Sequence, residues 1–268
     1  MARIIRYRAG FIGCGNMGGT LAANAAQAVG GEKICVCDAD EKKVARFKAE
    51  YGCAAAEIPE LIEKSDFVFL GLKPAVLRKV LPGYAGYFAA RPDCTVVSMA
   101  AGVTIEEIRK ACGGHKKIIR IMPNLGARVG EGMILESTDC AEAEGELDKF
   151  EKLLAGAGSF ERIPESLMDA GCALSGSGPA FAYIFVEAMA DAGVECGLPR
   201  ATALKLASQT LLGAAKSALV YGNPAALKDD VCSPGGTTIV GVHALEDAGF
   251  RAAVMDAVKA AFEKAKKL

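Results

Sequence analysis

The stretch that decides the fold lies near the start of the chain and reads AGFIGCGNMGGTLAANAAQAVG, residues 9–30. An apolar run at 9–13 predicts a strand, and the small residues from 19 onwards predict a helix. Gly13, Gly15 and Gly18 lie between them with the spacing Gly-x-Gly-x-x-Gly. In this context the spacing is typical of a turn that binds a dinucleotide, with free N–H groups of the helix directed at the phosphates. The alternative is a plain strand–turn–helix built from small residues.

Short apolar runs recur through the first 160 residues, alternating with helix-like stretches such as 40–51 and 104–112. The runs are rich in Val, Ile and Phe and are apolar on both faces, which is typical of a parallel sheet covered by helices. In the second helical stretch Thr104 and Glu107 fit a capping box. The alternation predicts a doubly wound α/β domain of the Rossmann type. The predicted strands are 9–13, 33–38, 66–72, 94–100, 117–122 and 132–137.

The pattern changes after about residue 162, where strand-like alternation ends. We predict two domains, a Rossmann-like domain at 1–162 and an all-helical domain at 163–268, with Pro164 near the boundary. The helices of the second domain are apolar nearly all round, which is typical of helices buried on every side. We therefore predict that this half forms a dimer interface; the alternative is a compact monomeric bundle. The predicted helices are 179–193, 200–222, 237–249 and 250–268.

Composition excludes several classes of protein. Hydrophobic residues make up 51% of the 268 residues and the net charge is −1, which argues against nucleic-acid binding. Glu187 and Asp191 interrupt the longest apolar run, so we expect no membrane span. The start MARIIRYRAGFIG lacks the long apolar core of a secretory signal. The ten cysteines include no Cys-x-x-Cys pair, so we expect reduced thiols in the cytoplasm and no metal site.

Asp38 ends the second predicted strand, twenty residues after Gly18. An acidic residue there would bind the ribose hydroxyls of NAD and repel the 2′-phosphate of NADP, unless Lys42 and Lys43 compensate. The position favours NADH slightly over NADPH. Alternatively, Asp38 caps the helix that begins near Asp40.

Three further loops follow predicted strands, at the edge where a doubly wound sheet binds its ligands. Small residues in the second loop would let a nicotinamide or ribose approach the backbone, and the amide of Asn124 offers a donor and an acceptor. Ordinary β–α turns are the alternative, with Lys73 a solvated side chain. The loop residues are Leu72, Lys73 and Pro74, then Ala100, Ala101 and Gly102, then Asn124.

Two loops belong to the helical half. SGSGPAF, residues 175–181, places Pro179 at a helix start with Ser175 and Ser177 as potential caps. SPGGTT, residues 233–238, carries no charge. The loop would suit a small carboxylate, which could bind its successive N–H groups and the hydroxyls of Ser233 and the threonines. The positive end of the following helix would also favour an anion there. The alternative is a glycine hinge before a helix cap. The N–H donors of this loop are those of Gly235, Gly236, Thr237 and Thr238.

Taken together, FIGCGNMG, AAGVT, RIMPN, SGSGPAF and DDVCSPGGTTIVGVHALEDAGF resemble the pyrroline-5-carboxylate reductase family over almost the whole chain. The resemblance implies reduction of Δ1-pyrroline-5-carboxylate to L-proline with NADPH or NADH. It also implies a Rossmann domain followed by a helical domain that intertwines with its partner in a dimer, and a site shared between subunits. Such dimers often assemble further.

The resemblance also implies roles for residues of this chain. The pyrophosphate would lie on Gly13, Cys14, Gly15, Asn16, Met17 and Gly18, with the LKP and AAG loops and Asn124 around the ribose and nicotinamide. The substrate carboxylate would accept N–H bonds from Gly236 and Thr237 beside Ser233, and the Thr238 hydroxyl would bond the imine nitrogen. Two departures from the family are Leu125-Gly126, where Thr-Pro is usual, and Phe181, where Tyr is common.

Two other functions compete with this prediction. A β-hydroxyacid dehydrogenase also pairs a Rossmann domain with a helical one, and uses a helical-domain lysine as its acid/base group; Lys205 lies in a helix but outside any motif for that role. A redox sensor that binds NAD(P) would need the cofactor loop but not SPGGTT. The motif loops hold no strong acid, so we expect the substrate to bind already protonated, without a dedicated histidine acid.

Overall fold

A computed structural model describes residues 6–267. Residues 1–5, the basic start of the chain, and residue 268, the end of the last predicted helix, lie outside the described residues. Eight strands in the described part form one sheet. They are β1 (Tyr7–Ile12), β2 (Ile34–Cys37), β3 (Ala54–Ala55), β4 (Ser65–Leu70), β5 (Thr95–Ser98), β6 (Ile118–Met122), β7 (Gly132–Ser137) and β8 (Gly158–Arg162).

The strand order is β3-β2-β1-β4-β5-β6-β7-β8, with the reversal of order between β1 and β4. All six predicted strands are present, and the doubly wound α/β prediction is confirmed. The other neighbouring strands of the sheet are parallel, as the pattern of the sequence predicts, whereas β7 runs antiparallel to β6. Residues 123–131 join these strands and are too few for the crossover that a parallel pair needs.

The two strands missing from the sequence prediction lie at the edges of the sheet. β3 contains only Ala54 and Ala55, and β8 is partly exposed along its length. An exposed edge strand lacks the run of apolar residues that marks a strand covered on both faces.

Helices cover both faces of the sheet. Alternate residues of β4 point to opposite sides: Phe67 and Phe69 join one apolar cluster, Val68 and Leu70 the other. The helices are α1 (Asn16–Val29), α2 (Glu41–Tyr51), α3 (Ile58–Lys64), α4 (Pro74–Val80), α5 (Ala85–Ala89), α6 (Ile105–Ala111), α7 (Ala141–Leu153) and α8 (Met168–Gly171). The first cluster includes residues of α1, α2 and α7, and the second includes residues of α3 to α6.

The chain forms two compact units. The sheet unit reaches to Gly176 and includes Phe262 and the residues after it, and the helical unit is Ser177–Ala261. The last strand, β8, ends at Arg162, and a π-helical turn, Cys172–Gly176, closes the sheet unit. The four predicted helices of this half are present, with one more between them. They are α9 (Gly178–Glu195), α10 (Arg200–Tyr221), α11 (Pro224–Val231), α12 (Thr237–Asp247) and α13 (Phe250–Ala265).

Candidate active site

The turn between β1 and α1 has the shape that a bound pyrophosphate needs. Gly13 has a φ of 96°, and a Cβ there would lie 2.7 Å from the carbonyl oxygen of Gly71. A Cβ on Gly18 would lie 2.1 Å from the carbonyl oxygen of Gly13, so the helix packs against the turn because this residue is glycine. Apart from its chain neighbours, no described atom lies within 4 Å of the Cβ position at Gly15, so that side is open to a ligand. The turn therefore fits a dinucleotide.

The start of α1 faces an open, basic groove of about 620 Å³. Gly15 is the N-cap and makes no side-chain cap bond, and the helix begins at Asn16. The groove is lined by Cys14, Gly15 and Asn16 together with three cations, Lys43, Arg46 and Arg128. Burial raises the pKa of the Cys14 thiol to about 12, so Cys14 contributes its backbone and not a thiolate. A negatively charged ligand is favoured here by the helix dipole and by the cations.

Asp38 ties the end of β2 to the glycine turn. Its Oδ2 accepts the N–H of Cys14 at 2.7 Å, its Oδ1 accepts the N–H of Asp40 at 2.9 Å, and Lys43 Nζ lies 3.3 Å from Oδ1. Burial alone would raise the pKa of Asp38, but the hydrogen bonds from Asp40, Cys14 and Lys43 lower it below its ordinary value. Asp40 caps α2 by accepting the N–H of Lys42, so the alternative that Asp38 is the cap is wrong.

The other predicted cofactor loops lie along the same edge of the sheet. Strands β1, β4, β5 and β6 are parallel neighbours, so the segments that follow them begin side by side. In the LKP loop Leu72 packs partly buried against the core, exposed Lys73 is the N-cap of α4, and Pro74 lies in its first turn.

The AAG loop is held by its own backbone and by one arginine. Ala100 is buried, and its carbonyl accepts the N–H of Val103 at 3.4 Å. Gly102 accepts a hydrogen bond on its carbonyl from Arg78 of α4 at 2.8 Å. Ala101 packs against the apolar cluster of Met122, Leu135 and Met168. The backbone here is therefore close to fixed before a ligand binds.

Asn124 lies at this edge, but its side chain is bonded within the protein. The carbonyl oxygen Oδ1 accepts the N–H groups of Gly126 and Met133, and Nδ2 donates to the carbonyl of Ser175 at 3.0 Å. Since an amide oxygen has two lone pairs, the acceptor expected for the nicotinamide is already occupied.

The SPGGTT loop forms a tight turn before α12. Gly235 has a φ of 68°, and the N–H of Gly236 donates to the carbonyl of Ser233 at 3.0 Å. The expected N–H bond from Gly236 to a ligand is therefore already used within the turn. Thr237 and Thr238 open α12, and N–H groups in the first turn of a helix have no carbonyl one turn back to bond. Thr238 is half-buried, and Thr237 is exposed.

The expected serine caps of SGSGPAF are wrong. Helix α9 begins at Gly178 with Pro179 in its first turn, and its N-cap Ser177 makes no side-chain cap bond. The Ser175 hydroxyl donates to the carbonyl of Gly171 at 2.9 Å, because residues 172–176 form a π-helical turn that continues α8.

Other ionisable candidates lie elsewhere. His115 is buried beside Phe88, its Nε2 is 2.9 Å from the carbonyl oxygen of Cys94, and burial lowers its pKa. His243 is exposed on α12 and pairs with Asp247, and Lys205 is exposed on α10. Over residues 6–267, no three His, Cys, Asp or Glu side chains lie together as a metal site. No helix in the same range is long and apolar enough to cross a membrane.

Two family matches cover most of the chain. Residues 8–102 match the family described as NADP oxidoreductase, coenzyme F420-dependent, and residues 165–268 match pyrroline-5-carboxylate reductase dimerisation. The pyrroline-5-carboxylate reductase of Escherichia coli strain K12 is 42% identical over 265 residues, which is 97% of this chain and 97% of that protein. The enzyme of Aquifex aeolicus strain VF5 is 39% identical over 269 residues, or 100% and 99%.

Solved structures agree with these matches. The pyrroline carboxylate reductase of Plasmodium falciparum with NADP bound superposes with a TM-score of 0.86 at 30% identity, over 99% of each chain. The chain belongs to the pyrroline-5-carboxylate reductase family. It is an oxidoreductase, and residues 165–268 match that family's dimerisation domain.

Sequence reasoning missed three residues that shape the site of this family member. Gly71 follows β4, and a Cβ there would lie 2.4 Å from the carbonyl oxygen of Gly13, so a glycine is needed on both sides of that contact. Arg78 holds the Gly102 carbonyl, and Asn24 of α1 donates to the carbonyl of Ala127 at 3.1 Å. The Gly71 contact could have been anticipated from its place after a strand next to β1. The other two are long-range contacts without a periodic signal.

Proposed function

We propose that this chain reduces Δ1-pyrroline-5-carboxylate to L-proline, the last step of proline biosynthesis, with NADH or NADPH as the reductant. The observation that carries the proposal is the match, over 97% or more of the chain, to relatives named pyrroline-5-carboxylate reductase. The glycine turn supports the cofactor, and the uncharged SPGGTT loop supports a small carboxylate substrate.

The reaction adds a hydride to C5 of the protonated imine, and the electron pair of the C=N bond moves onto nitrogen to give the secondary amine. When bound, the cofactor supplies this hydride from its nicotinamide ring. The contribution of the protein is to position substrate against cofactor. The substrate binds already protonated, so neither His115 nor His243 is needed as an acid.

We assign the cofactor to the sheet unit. The pyrophosphate binds the open side of the turn at residues 13–18, where α1 begins. Residues 72–74 and 100–102 lie beside the ribose and nicotinamide, since they follow strands next to β1. Asn124 belongs to the same edge and can offer one amide N–H beyond the bonds that it already makes.

We assign the substrate carboxylate to the SPGGTT loop. The N–H groups of Thr237 and Thr238 are its donors, Gly235 and Gly236 shape the turn, and Ser233 lies beside them. The oxygen of the Thr238 hydroxyl accepts a hydrogen bond from the protonated imine nitrogen and orients the imine for hydride addition. A carboxylate at the start of α12 is also favoured by the helix dipole.

The direct test follows NADH and NADPH oxidation on addition of pyrroline-5-carboxylate. Thr238→Ala should lower turnover about tenfold or more, roughly the 1.4 kcal/mol of one hydrogen bond in the transition state. Thr238→Ser keeps the hydroxyl and should retain most of the turnover. Cofactor affinity should stay near wild type in both. An unchanged hydride step in single-turnover kinetics of Thr238→Ala would remove Thr238 from the mechanism.

The same assay separates the competing functions. Oxidation of 3-hydroxyisobutyrate in place of pyrroline-5-carboxylate reduction would indicate a β-hydroxyacid dehydrogenase with Lys205 as the candidate base. Cofactor binding without turnover of either substrate would indicate a sensor.

We further propose that Asp38 makes NADH the preferred cofactor. Its carboxylate is held charged at the end of β2, the position at which an acidic residue binds the ribose of NAD, and Lys43 at 3.3 Å offsets part of that charge. Asp38→Ser should raise the affinity for NADPH relative to NADH about tenfold, or 1.4 kcal/mol. Asp40→Ser removes a neighbouring carboxylate and keeps a cap on α2, so it is the matched control. An unchanged ratio in Asp38→Ser would contradict the assignment.

We also propose a homodimer formed through the helical unit, able to assemble further, in the cytoplasm. The dimerisation family match over 165–268 supports the first part. All ten cysteines are free thiols, which suits a reducing compartment. Sedimentation of the chain as a monomer at micromolar concentration would contradict the dimer.

A further inference from the structure

The side chain of Asn124 joins three segments of the sheet unit. Oδ1 accepts the N–H of Gly126, in the turn after β6, at 3.1 Å, and the N–H of Met133, in β7, at 3.2 Å. Nδ2 donates to the carbonyl of Ser175, in the π-helical turn, at 3.0 Å. Both lone pairs of the oxygen are used, and one N–H is left.

The π-helical turn reaches the same edge of the sheet as the cofactor loops. Cys172, in this turn, and Ala101, in the AAG loop, pack against one apolar cluster of Met122, Leu135 and Met168. Asn124 follows Met122 by two residues, so its amide bonds lie next to that cluster. Single turns of π-helix are frequent at functional sites.

Other polar contacts of this region bond within the segment or hold the residues before the π-helical turn 172–176. The Ser175 hydroxyl bonds back to Gly171, within the same segment, and so does not hold the turn to the sheet. Arg120 of β6 bonds Glu165 at 3.0 Å and lies 3.7 Å from Asp169, which holds the segment before the turn. The side chain of Asn124 connects residues 172–176 to the segment after β6 and to β7 by hydrogen bonds.

We propose that Asn124 is a positioning residue for hydride transfer. Its bond to Ser175 fixes the π-helical turn 172–176 beside the AAG loop, and the fixed turn sets the orientation of the nicotinamide. The proposal rests on the proposed function. Because the pyrophosphate is held at residues 13–18, release of the π-helical turn should lower turnover and leave cofactor affinity nearly unchanged.

Asn124→Asp tests this proposal with an isosteric change. The introduced carboxylate still accepts from Gly126 and Met133, but an oxygen now faces the Ser175 carbonyl and cannot donate. We expect kcat to fall about tenfold or more at neutral pH, with the Kd for NADH within about twofold of wild type. As the pH falls and the carboxyl is protonated, it can donate again, so kcat relative to wild type should recover.

Thr138→Val is the control. The Thr138 hydroxyl also donates to a carbonyl of the sheet unit, that of Ile118 at 2.7 Å, at the opposite end of β6 from Asn124, so its loss does not touch residues 172–176. We expect a loss of Tm with kcat within about twofold of wild type. If Asn124→Asp does not fold, Asn124→Ser, which has a shorter side chain, takes its place in the same comparison.

The outcomes distinguish the two proposals. A wild-type chain that does not oxidise NADH or NADPH with pyrroline-5-carboxylate contradicts the proposed function. An active wild type whose Asn124 variants lose no more kcat than Thr138→Val contradicts the positioning role alone. Loss of kcat in Asn124→Asp without recovery at lower pH also counts against it.

Discussion

In the sheet unit the large apolar side chains are buried, whereas in the helical unit many are exposed. Phe11, Phe47 and Phe69 are fully buried between the sheet and its helices. Within residues 177–261, the buried hydrophobic residues are three alanines, Ala190, Ala203 and Ala207. Many of the larger side chains there are exposed, including Ile184 at 65% and Leu219 at 87%. Since monomers rarely expose so much apolar surface, the helical unit needs a partner copy to cover it.

The two units therefore gain their stability from different sources. The sheet unit finds the atoms that cover its core within its own chain, so its folding should not depend on assembly. In a dimerisation domain, part of the apolar surface is buried by a second copy, so the stability of the domain should depend on protein concentration.

Phe69→Ala should cause the largest loss of stability. The Phe69 ring stacks on Phe11 with centroids 4.3 Å apart and lies 6.2 Å from the ring of Phe150. Removing a buried phenylalanine ring typically costs about 3–5 kcal/mol. Urea unfolding at low and high protein concentration should give the same difference from wild type. A difference that shrinks as the chain is concentrated would mean that the sheet unit also draws on the partner.

Ile184→Asp should weaken self-association instead. Ile184 lines an apolar groove of the helical unit of about 480 Å³, together with Phe185 and Phe250, whose rings are 5.7 Å apart. A charge placed in a covered apolar surface should raise the dimer Kd about thirtyfold, or about 2 kcal/mol. Sedimentation measures this, and circular dichroism should show that the chain stays folded.

Glu195→Gln is the control for this variant, because Glu195 is an exposed residue at the end of the same helix. Its dimer Kd should equal that of wild type. An Ile184→Asp chain that dimerises as tightly as Glu195→Gln would place the interface on another face of the helical unit.

Much of the fold could be predicted because burial on both sides of a sheet imposes a visible pattern. The runs ending near Ile12, Leu70 and Ser98 are continuous in apolar residues, and each is a strand. Local chemistry was also readable: Thr104 and Glu107 form the predicted capping box with both of its bonds. The dimer prediction had the same basis, since helices without a polar face need cover all round.

What escaped prediction depends on pairs of residues far apart in the chain. Asn124 bonds Ser175, and Arg78 bonds Gly102, without any periodic pattern between the partners. From sequence, Asn124 was an open amide beside the nicotinamide; in the structure its oxygen is fully used. The N–H of Gly236 was misjudged for a similar reason, because a turn with glycine in the left-handed region closes on itself. Local composition indicates donors but not which of them are already bonded.

Glu136 predicts a pH dependence that belongs to the sheet unit. Its side chain is fully buried on β7, and Oε1 accepts from Arg162 Nε at 2.9 Å. Burial and the neighbouring Glu151 raise its pKa to about 7, although the hydrogen bond from Arg162 acts in the opposite direction. Between about pH 4.5 and pH 7 the folded chain therefore keeps a proton on Glu136 that the unfolded chain, with an ordinary pKa of 4.5, releases. The stability contributed by this group should be present below about pH 4.5 and lost as the pH rises through 7.

Glu136→Gln should remove this slope, which amounts to at most about 1.4 kcal/mol per pH unit. Arg162 keeps Glu151 at 3.0 Å and Asp148 at 3.3 Å, so the variant should fold. Glu151→Gln should instead move the transition to lower pH, because it removes a neighbouring negative charge. Urea unfolding across this range checks both, and equal slopes in wild type and Glu136→Gln would exclude Glu136 as the titrating group.

Helix capping gives the smallest difference between the two units. In the sheet unit, Thr104 accepts the N–H of Glu107 at 3.1 Å, and the Glu107 side chain accepts the N–H of Thr104 at 3.2 Å. Thr104→Ala should therefore cost about 1 kcal/mol of unfolding free energy. Ser177 is the N-cap of α9 in the helical unit but makes no side-chain cap bond, so Ser177→Ala should change stability by less than about 0.5 kcal/mol. Equal losses of unfolding free energy in the two variants would mean that the Ser177 hydroxyl gains a hydrogen-bond partner in the dimer. The helix ends of the helical unit, like its apolar surface, would then depend on the second copy.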